Sequence, residues 1–289
     1  MTPRFAPPQD AGPRPAPDAA AAERLAHVTG LAFDLDGTVY LGAQLLPGAR
    51  GLLDALAGAG VPFLFATNNS SKSAEEYLVR LRALGLPAER ERLLTSNDVA
   101  IERLRQAGLR RPYLVATPAV VREYRSQGID PAEDDADAPD CVLLTFDTTL
   151  TYAKLRRASD LVRAGLPYLA THPDTVCPTP EGPIPDCGAF IALLAEATGA
   201  RPEVLGKPQP SMAAAIAARL DLPAHRIAFV GDRLYTDVRM AVENGFVAVL
   251  TLTGEAQRSD LSTSPHQPDV VVESLTALHA LLRRQGTLP

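Results

Sequence analysis

Two acidic side chains near the start of the sequence could act together on one substrate. Asp34 and Asp36 are separated by a single residue, follow the apolar run 31–33 and precede Gly37. If the run is a buried strand, Asp34 stands at its C-terminal tip, where open α/β sheets bind ligands, and Gly37 lets the backbone approach an anion closely. Two carboxylates so placed can divide the roles of nucleophile and proton shuttle, and they can together hold a divalent cation.

A second group of polar residues follows the apolar run 61–66. Thr67, Asn68 and Ser70 supply hydroxyls, an amide and backbone N–H groups that open toward a helix. Such groups are suited to gripping the oxygens of a phosphate. By itself, however, the segment is more readily explained as a turn that caps the following helix.

A lysine and two further acids lie in the second half of the chain. Lys207 stands just before a predicted helix start, where a cation can neutralise an attacking carboxylate and a bound phosphoryl group. Asp232 follows the apolar run 227–230, so it could bind a metal ion, and Asp237 could orient that ion or its waters. Singly, these residues are explained by a solvated lysine and a capped turn. Gathered at one edge of one sheet, the four segments predict a site for phosphoryl transfer.

The apolar runs identify the elements that must carry these residues. Runs bounded by glycine and proline alternate with segments of helical periodicity, which predicts βα units and an α/β fold. The predicted strands cover residues 31–33, 61–66, 113–116, 141–146, 167–170, 227–230, 246–252 and 270–272. The predicted helices cover residues 152–163, 188–198, 211–220, 236–244 and 275–284. A capping box formed by Ser73 and Glu76 predicts a further helix start.

Size and composition limit the classes of function. The 289 residues exceed the usual size of one core, so we expect two domains or one domain with a large insertion. A net charge of -6, 5% aromatic residues and no Trp argue against a nucleic-acid partner. No apolar run approaches the roughly 18 residues of a membrane helix, so no membrane partner is expected. Three cysteines, an odd number, favour free thiols in a reducing compartment and a cytoplasmic location.

The order of these segments resembles a known family. Residues 34–38, 67–70, 206–208 and 231–237 are similar to the four sequence motifs of the haloacid dehalogenase superfamily of phosphohydrolases. More narrowly, they resemble its NagD-like and p-nitrophenylphosphatase-like branch, subfamily IIA. The resemblance implies a doubly wound parallel-sheet core with an inserted α/β cap domain. It also implies Mg²⁺-dependent hydrolysis of a small phosphorylated metabolite.

The resemblance also implies a role for each matching residue. Asp34 would be the nucleophile that forms an aspartyl-phosphate. Asp36 would be the general acid for the leaving oxygen and then the base for the hydrolytic water. The magnesium ion would be held by Asp34, the backbone carbonyl of Asp36 and Asp232, with Asp237 behind it. The phosphoryl group would meet Asp34 and the phosphate-binding residues Gly37, Thr67, Asn68 and Lys207.

The segment between Asn69 and Lys207 is longer than one βα crossover needs, which predicts an inserted cap that excludes water and chooses the leaving group. The predicted division is a disordered Pro/Ala-rich tail at 1–23, a catalytic core at 24–98 and 203–289, and an α/β cap at 99–202. Branch members often dimerise through the cap, so a homodimer is a possible assembly.

Three cap residues are candidates for substrate contacts: His172, Asp174 and Asp186. They stand in loops that resemble the cap loop facing the catalytic centre in the branch. The branch usually has asparagine at the position of His172 and glycine at that of Asp186. His172 could therefore meet a substrate phosphate or carboxylate, and a structural imidazole at a strand end is an equal alternative.

Other functions stay open at this point. A phosphotransferase or phosphomutase would need the same acids, and a non-catalytic phosphometabolite-binding protein could keep the cleft. A dehydrogenase is weaker, because Asp34 to Gly37 replace the glycine-rich turn of a dinucleotide fold. Sugar phosphates, nucleoside monophosphates, pyridoxal phosphate and phosphoglycolate all fit as substrates.

Overall fold

A computed structural model describes residues 23–132, 138–179 and 181–288. The tail expected at 1–23 lies outside these ranges except for its last residue. In chain order the described strands are β1 (Gly30–Phe33), β2 (Tyr40–Leu41), β3 (Gln44–Leu45), β4 (Phe63–Thr67), β5 (Leu93–Thr95), β6 (Pro112–Val115), β7 (Cys141–Leu144), β8 (Tyr168–Ala170), β9 (Val176–Cys177), β10 (Ile184–Pro185), β11 (Glu203–Val204), β12 (Ile227–Gly231), β13 (Val247–Thr251) and β14 (Val270–Val272). The α-helices are α1 (Ala49–Gly58), α2 (Ala74–Ala83), α3 (Ser96–Gln106), α4 (Pro118–Ser126), α5 (Tyr152–Arg163), α6 (Cys187–Thr198), α7 (Pro210–Leu220), α8 (Arg239–Glu243) and α9 (Leu275–Arg284).

The larger sheet carries the first strand at its centre. Its strands run parallel in the order β14-β13-β12-β1-β4-β5. Strands that follow β1 in the chain are added on one side of it and later strands on the other, so the predicted doubly wound parallel sheet is confirmed. The carboxyl ends of β1, β4 and β12 therefore meet at one edge, where the strand order changes direction and where such sheets bind ligands.

Both faces of this sheet are covered. In β4, Phe63 and Phe65 join an apolar cluster with residues of α1 and α9, whereas Leu64 and Ala66 join a second cluster with residues of α3 and α7. This alternation explains why the strand sequences are almost continuously apolar. Burying one such large side chain contributes about 1.5–3 kcal/mol, so the two clusters hold the strand ends firmly in place.

A second, smaller parallel sheet lies in the chain between β5 and α7. Its strand order is β11-β8-β7-β6, and its last strand, β11, pairs with β8. Helices α5 and α6 supply the apolar residues that pack with β7 and β8, among them Ala158, Leu161, Ile191 and Leu194. The sheet has the position expected of an inserted unit, and the domain boundaries at 98 and 203 stay a prediction.

The structure confirms each predicted strand to within a few residues at its ends and adds some short ones. The capping box at Ser73 is formed: its hydroxyl accepts from the Glu76 N–H at 3.3 Å, and the Glu76 carboxylate accepts from the Ser73 N–H at 2.8 Å. Strand β5 and the hairpins β2/β3 and β9/β10 escaped prediction because two or three residues carry no periodicity. The helix predicted at 236–244 begins as a π-helical turn, Leu234–Val238, and continues as α8.

Candidate active site

Asp34 and Lys207 form the centre of the site. Asp34 follows β1 directly, and its backbone N–H donates to the carbonyl of Val230 at 2.8 Å, which fixes it at the carboxyl edge of the sheet. The ammonium group of Lys207 donates to Asp34 Oδ1 at 2.5 Å and lies 2.8 Å from Asp237 Oδ1. All three side chains are buried. Residues separated by about half the chain therefore meet as the motif order predicts.

The charge of Lys207 is protected by its partners. Burial disfavours an ammonium ion, but the carboxylates of Asp237 and Asp34 outweigh this and raise the pKa of Lys207 above its ordinary value. The lysine is therefore a cation at neutral pH. It can offset one negative charge among the acids around it.

Three buried carboxylates surround this cation. Asp34, Asp232 and Asp237 each place an oxygen within 4.8 Å of the others. Burial raises the pKa of Asp34 well above its usual range, and although Lys207 opposes this, repulsion from Asp237 and Asp232 adds to it. Burial and the neighbouring Asp237 raise the pKa of Asp232 to about 7. One lysine is too little positive charge for three carboxylates, and their hard oxygen donors fit a divalent ion such as Mg²⁺.

Two glycines enclose the carboxylate of Asp232. The Glu255 N–H donates to Oδ2 at 2.7 Å, and the Thr38 hydroxyl donates to Oδ1 at 3.4 Å. A Cβ atom on Gly37 would lie 2.4 Å from Asp232 Oδ2, and one on Gly254 would lie 2.0 Å from it. Gly37 also has a φ of 90°, a left-handed conformation that favours glycine. The acid is thus held between backbone segments that leave no room for a side chain.

Asp36 lies in the pocket beside this group of acids. The Tyr40 hydroxyl donates to its Oδ2 at 3.5 Å. Burial raises the pKa of Asp36, although nearby basic side chains, Arg80 foremost, oppose the shift. A carboxyl group that keeps its proton to higher pH suits a general acid. The neighbouring Gly37 N–H donates to the Tyr40 carbonyl at 2.8 Å, so that amide is engaged in the turn and its role toward phosphate stays a prediction.

Asn68 holds the loop that carries Lys207. Its Oδ1 accepts from the Lys207 N–H at 2.8 Å, and its Nδ2 donates to the Lys207 carbonyl at 2.9 Å and to both oxygens of Asp174 at 3.2 Å. The hydroxyl of Thr67 accepts from the Asn69 N–H at 3.2 Å. Thr67 and Asn68 both line the pocket, as the sequence predicts for phosphate-binding residues. The two hydrogen bonds between the Asn68 side chain and the Lys207 backbone form a clamp that the sequence did not predict.

These residues open into one cleft of about 410 Å³, including its mouth. The cleft lies between the carboxyl edge of the larger sheet and the loops of the smaller one. Its walls are formed by Asp34, Asp36, Thr67, Asn68, Asn69, Asp174, Cys177, Pro178, Asp186, Lys207, Arg233, Thr236 and Asp237. Most of the lining residues have polar or charged side chains, which suits a charged substrate.

The three residues predicted in the loops of the smaller sheet also meet at this cleft. Asp174 and Asp186 line it, and His172 is fully buried between them. His172 Nδ1 lies 3.6 Å from Asp174 Oδ2, and Nε2 lies 3.5 Å from Asp186 Oδ1. The loops therefore do face the acids of the larger sheet, as the resemblance implies.

Arg233 is a pocket residue that sequence reasoning missed. Its Nη1 lies 3.5 Å from Asp174 Oδ2 and its Nε 3.0 Å from a Glu255 carboxylate oxygen, and only 12% of its side chain is exposed. Burial works against its charge, and nearby acids contribute to a pKa above the ordinary arginine value. Its position directly after Asp232 was the available signal, but adjacency to a motif acid does not show which way a side chain points.

Comparison with known proteins agrees with this site. A haloacid dehalogenase-like hydrolase family model matches residues 31–130, and a HAD-hydrolase-like model matches residues 204–278. The two matches include the segments that carry Asp34, Lys207 and Asp232. The chain therefore belongs to the haloacid dehalogenase-like hydrolases, in their NagD-like and p-nitrophenylphosphatase-like branch.

Among its relatives is the D-glycerol 3-phosphate phosphatase of Mycobacterium tuberculosis, 34% identical over 253 residues that cover 86% of this chain and 70% of the relative. An acid sugar phosphatase of Staphylococcus aureus is 29% identical over 253 residues, covering 87% and 97%. The crystal structure of a 4-nitrophenylphosphatase from Thermotoga maritima has a TM-score of 0.84 and 39% identity, covering 89% of this chain and 98% of that one.

The Mycobacterium tuberculosis glycerol phosphate phosphatase has been solved in complex with magnesium and in complex with calcium. The magnesium complex has a TM-score of 0.80 and 34% identity, covering 88% of this chain and 78% of that one. These likenesses identify the protein as a phosphoric monoester hydrolase. Within the described residues, no helix is both long and apolar enough to cross a membrane.

Proposed function

We propose that the protein is a Mg²⁺-dependent phosphomonoesterase that hydrolyses small phosphorylated metabolites through an aspartyl-phosphate on Asp34. The observation that supports this most directly is the contact of 2.5 Å between Lys207 Nζ and Asp34 Oδ1 at the tip of β1, inside the cleft. A buried carboxylate held against a fixed cation is suited to attack an anionic phosphoryl group, because the cation reduces the repulsion between them.

The proposed reaction has two steps. In the first, a carboxylate oxygen of Asp34 forms a bond to phosphorus while the bond from phosphorus to the leaving oxygen breaks, and Asp36 gives its proton to that oxygen. In the second, Asp36 takes a proton from water as the water oxygen attacks phosphorus, which releases phosphate and restores Asp34. Lys207 stays charged throughout and contacts both Asp34 and the phosphoryl oxygens, with Thr67 at the cleft wall.

The fitting metal is magnesium. Asp34, Asp232 and the backbone carbonyl of Asp36 would hold the ion, with Asp237 behind them. When bound, it would neutralise the crowded carboxylates and the charge of the phosphoryl group. The raised pKa values of Asp34 and Asp232 support this assignment, because burial and the neighbouring carboxylates disfavour their charged forms more than Lys207 favours them.

The leaving group is proposed to be a polyol or a sugar. Asn69, Asp174 and Asp186 also line the cleft and offer oxygen atoms that accept hydrogen bonds from hydroxyl groups. Two relatives are named D-glycerol 3-phosphate phosphatase and acid sugar phosphatase, which supports a polyol or sugar leaving group.

The smaller sheet is proposed to act as the cap. Its loops form one wall of the cleft, so motion of that sheet would open and close the site around a small substrate. Dimerisation through this unit and a cytoplasmic location remain predictions.

The nucleophile is tested by Asp34→Asn, with the exposed Asp54→Asn on α1 as the matched control. We expect Asp34→Asn to lose at least about 10³-fold in phosphate release with Mg²⁺ and glycerol 3-phosphate, because an amide cannot form the acyl-phosphate. The control should keep wild-type turnover, and circular dichroism should show both variants folded. Undiminished phosphate release by folded Asp34→Asn would exclude the mechanism.

The alternatives are tested with the wild-type protein. A phosphomutase would convert a sugar phosphate into its isomer with little free phosphate, and a binding protein would bind the substrate without turnover. We expect stoichiometric release of phosphate, dependent on Mg²⁺ and abolished by EDTA. A panel of glycerol, sugar, nucleoside, pyridoxal and glycolate phosphates would rank the leaving groups.

A further inference from the structure

The ring of a buried histidine in the loop after β8 has no hydrogen-bond partner among the described residues. Both ring nitrogens of His172 are fully buried and unsatisfied, and each faces a carboxylate, Asp174 Oδ2 at 3.6 Å and Asp186 Oδ1 at 3.5 Å. These distances exceed the roughly 2.7–3.2 Å between donor and acceptor in an ordinary N–H···O hydrogen bond. Buried polar groups in folded proteins are nearly always satisfied, so this group needs an explanation.

The protonation state of the ring makes the problem sharper. Burial lowers the pKa of His172 to about 4, although Asp186 opposes the shift. A neutral imidazole has one N–H and one lone pair, so at pH 7 one of its two nitrogens presents a lone pair to a carboxylate. Two electron-rich groups facing each other without a positive charge between them repel. Burial also raises the pKa of Asp174, and it raises that of Asp186 to about 6, so a compensating positive charge is missing on the carboxyl side as well.

The surrounding charges do not relieve this repulsion. Five carboxylates line the cleft against two cationic side chains, Lys207 and Arg233. Lys207 is engaged by Asp34 and Asp237, and Arg233 is shared between Asp174 and Glu255. Among the described residues that line the cleft, no cationic side chain is left for Asp186.

We propose that His172, Asp174 and Asp186 form a second cation site, separate from the magnesium site, that takes a divalent transition ion of the Zn²⁺ type. One nitrogen and two carboxylate oxygens from these residues lie within 4.8 Å of one another. Imidazole together with carboxylates suits zinc, whereas the all-oxygen group at Asp34 suits magnesium. Zinc–ligand bonds of about 2.0–2.2 Å place neighbouring tetrahedral ligand atoms about 3.3–3.6 Å apart, which matches the separation of Nε2 from Asp186 Oδ1.

The location gives this ion a structural role at the leaving-group wall. Asp174 follows β8, and Asp186 is the residue before α6, where its Oδ1 accepts from the Cys187 N–H at 2.6 Å. An ion bound here would tie the loop after β8 to the start of α6. It would lie beside the cleft, because Asp174 and Asp186 both line it. The site therefore rests on residues other than the Asp34, Asp232 and Asp237 group.

The test counts bound ions. Purified protein is stripped of metal with EDTA, loaded with Zn²⁺ and dialysed, and the zinc content per chain is measured by plasma emission spectroscopy. The variants His172→Gln and Asp232→Asn are treated in the same way. We expect two Zn²⁺ per chain in the wild type and one in each variant, because Zn²⁺ also enters the carboxylate site. One Zn²⁺ in the wild type that is lost in Asp232→Asn and kept in His172→Gln, or two in folded His172→Gln, would overturn the proposal. The first result would mean that protons, not a metal, relieve the repulsion.

A second measurement guards against misfolding of the variant. Crystals of the unchanged protein soaked in Zn²⁺ should show an anomalous peak between His172 and Asp186 at the zinc edge. No peak there, with a peak at the Asp34 group, would overturn the proposal while leaving the phosphatase mechanism intact. The double variant His172→Asn with Asp186→Gly, which installs the pair usual in the branch, should bind one Zn²⁺ and serve as a folded reference.

Discussion

The two buried acid clusters on either side of the cleft solve the same electrostatic problem differently. In the larger sheet, Lys207 contacts Asp34 and Asp237 at 2.5 and 2.8 Å, so the chain supplies part of the compensating charge itself. In the loops of the smaller sheet, His172 lies 3.5 Å from Asp186 and 3.6 Å from Asp174. Burial lowers its pKa to about 4, so the imidazole is uncharged at neutral pH. The difference teaches that a count of buried carboxylates does not show whether they need a bound cation. The distance from each carboxylate to the nearest charged basic side chain must also be known.

The largest test of this comparison removes the built-in cation. Lys207→Met leaves Asp34 and Asp237 buried without their partner, so we expect a loss of about 3–5 kcal/mol in the free energy of unfolding. Phosphate release should fall by about 10²–10³-fold, because one preorganised charge at the phosphoryl group is missing. Urea denaturation and steady-state kinetics with Mg²⁺ measure both. A variant as stable and active as the wild type would show that Lys207 does not compensate these acids.

A smaller effect is expected where the two clusters are joined. Asn68→Ala removes the hydrogen bonds that hold the Lys207 backbone and reach Asp174, so unfolding should become easier by about 1–3 kcal/mol. Turnover should fall by about 10–100-fold, since Lys207 is positioned less well. Asn69→Ala, at the neighbouring pocket position, is the comparison variant and should lose less stability. Equal losses in both variants would argue against the clamp.

The smallest effect is a dependence of stability on pH and metal. Burial and Asp237 raise the pKa of Asp232 to about 7 in the metal-free protein. A raised carboxyl pKa stabilises the fold only while the group is protonated, so this contribution fades as pH rises from the unfolded value of about 4 toward 7. We therefore expect Mg²⁺ to raise the Tm more at pH 8 than at pH 5, relative to EDTA. The reverse order in calorimetry would contradict the pKa shift.

The sequence predicted the acid cluster of the larger sheet better than that of the smaller sheet, for a physical reason. Carboxyl ends of parallel strands must meet at one edge, so acids after β1 and β12 can be placed together from the strand pattern alone. No such rule relates His172 to Asp186, because a loop and a hairpin separate them, and their meeting depends on how that loop folds. The clamp from Asn68 to Lys207 and the inward direction of Arg233 likewise depend on tertiary packing.

The enclosure of Asp232 by Gly37 and Gly254 has a consequence for substitutions that spare every acid of the site. A methyl group at either position would overlap the carboxylate oxygen, so substitution there should disable metal capture even in a chain that retains every acid. Gly254 stands outside the four motif segments, and a search limited to those segments would overlook it. In this chain, a substitution at Gly254 is therefore expected to disable the metal site as surely as the loss of a motif acid.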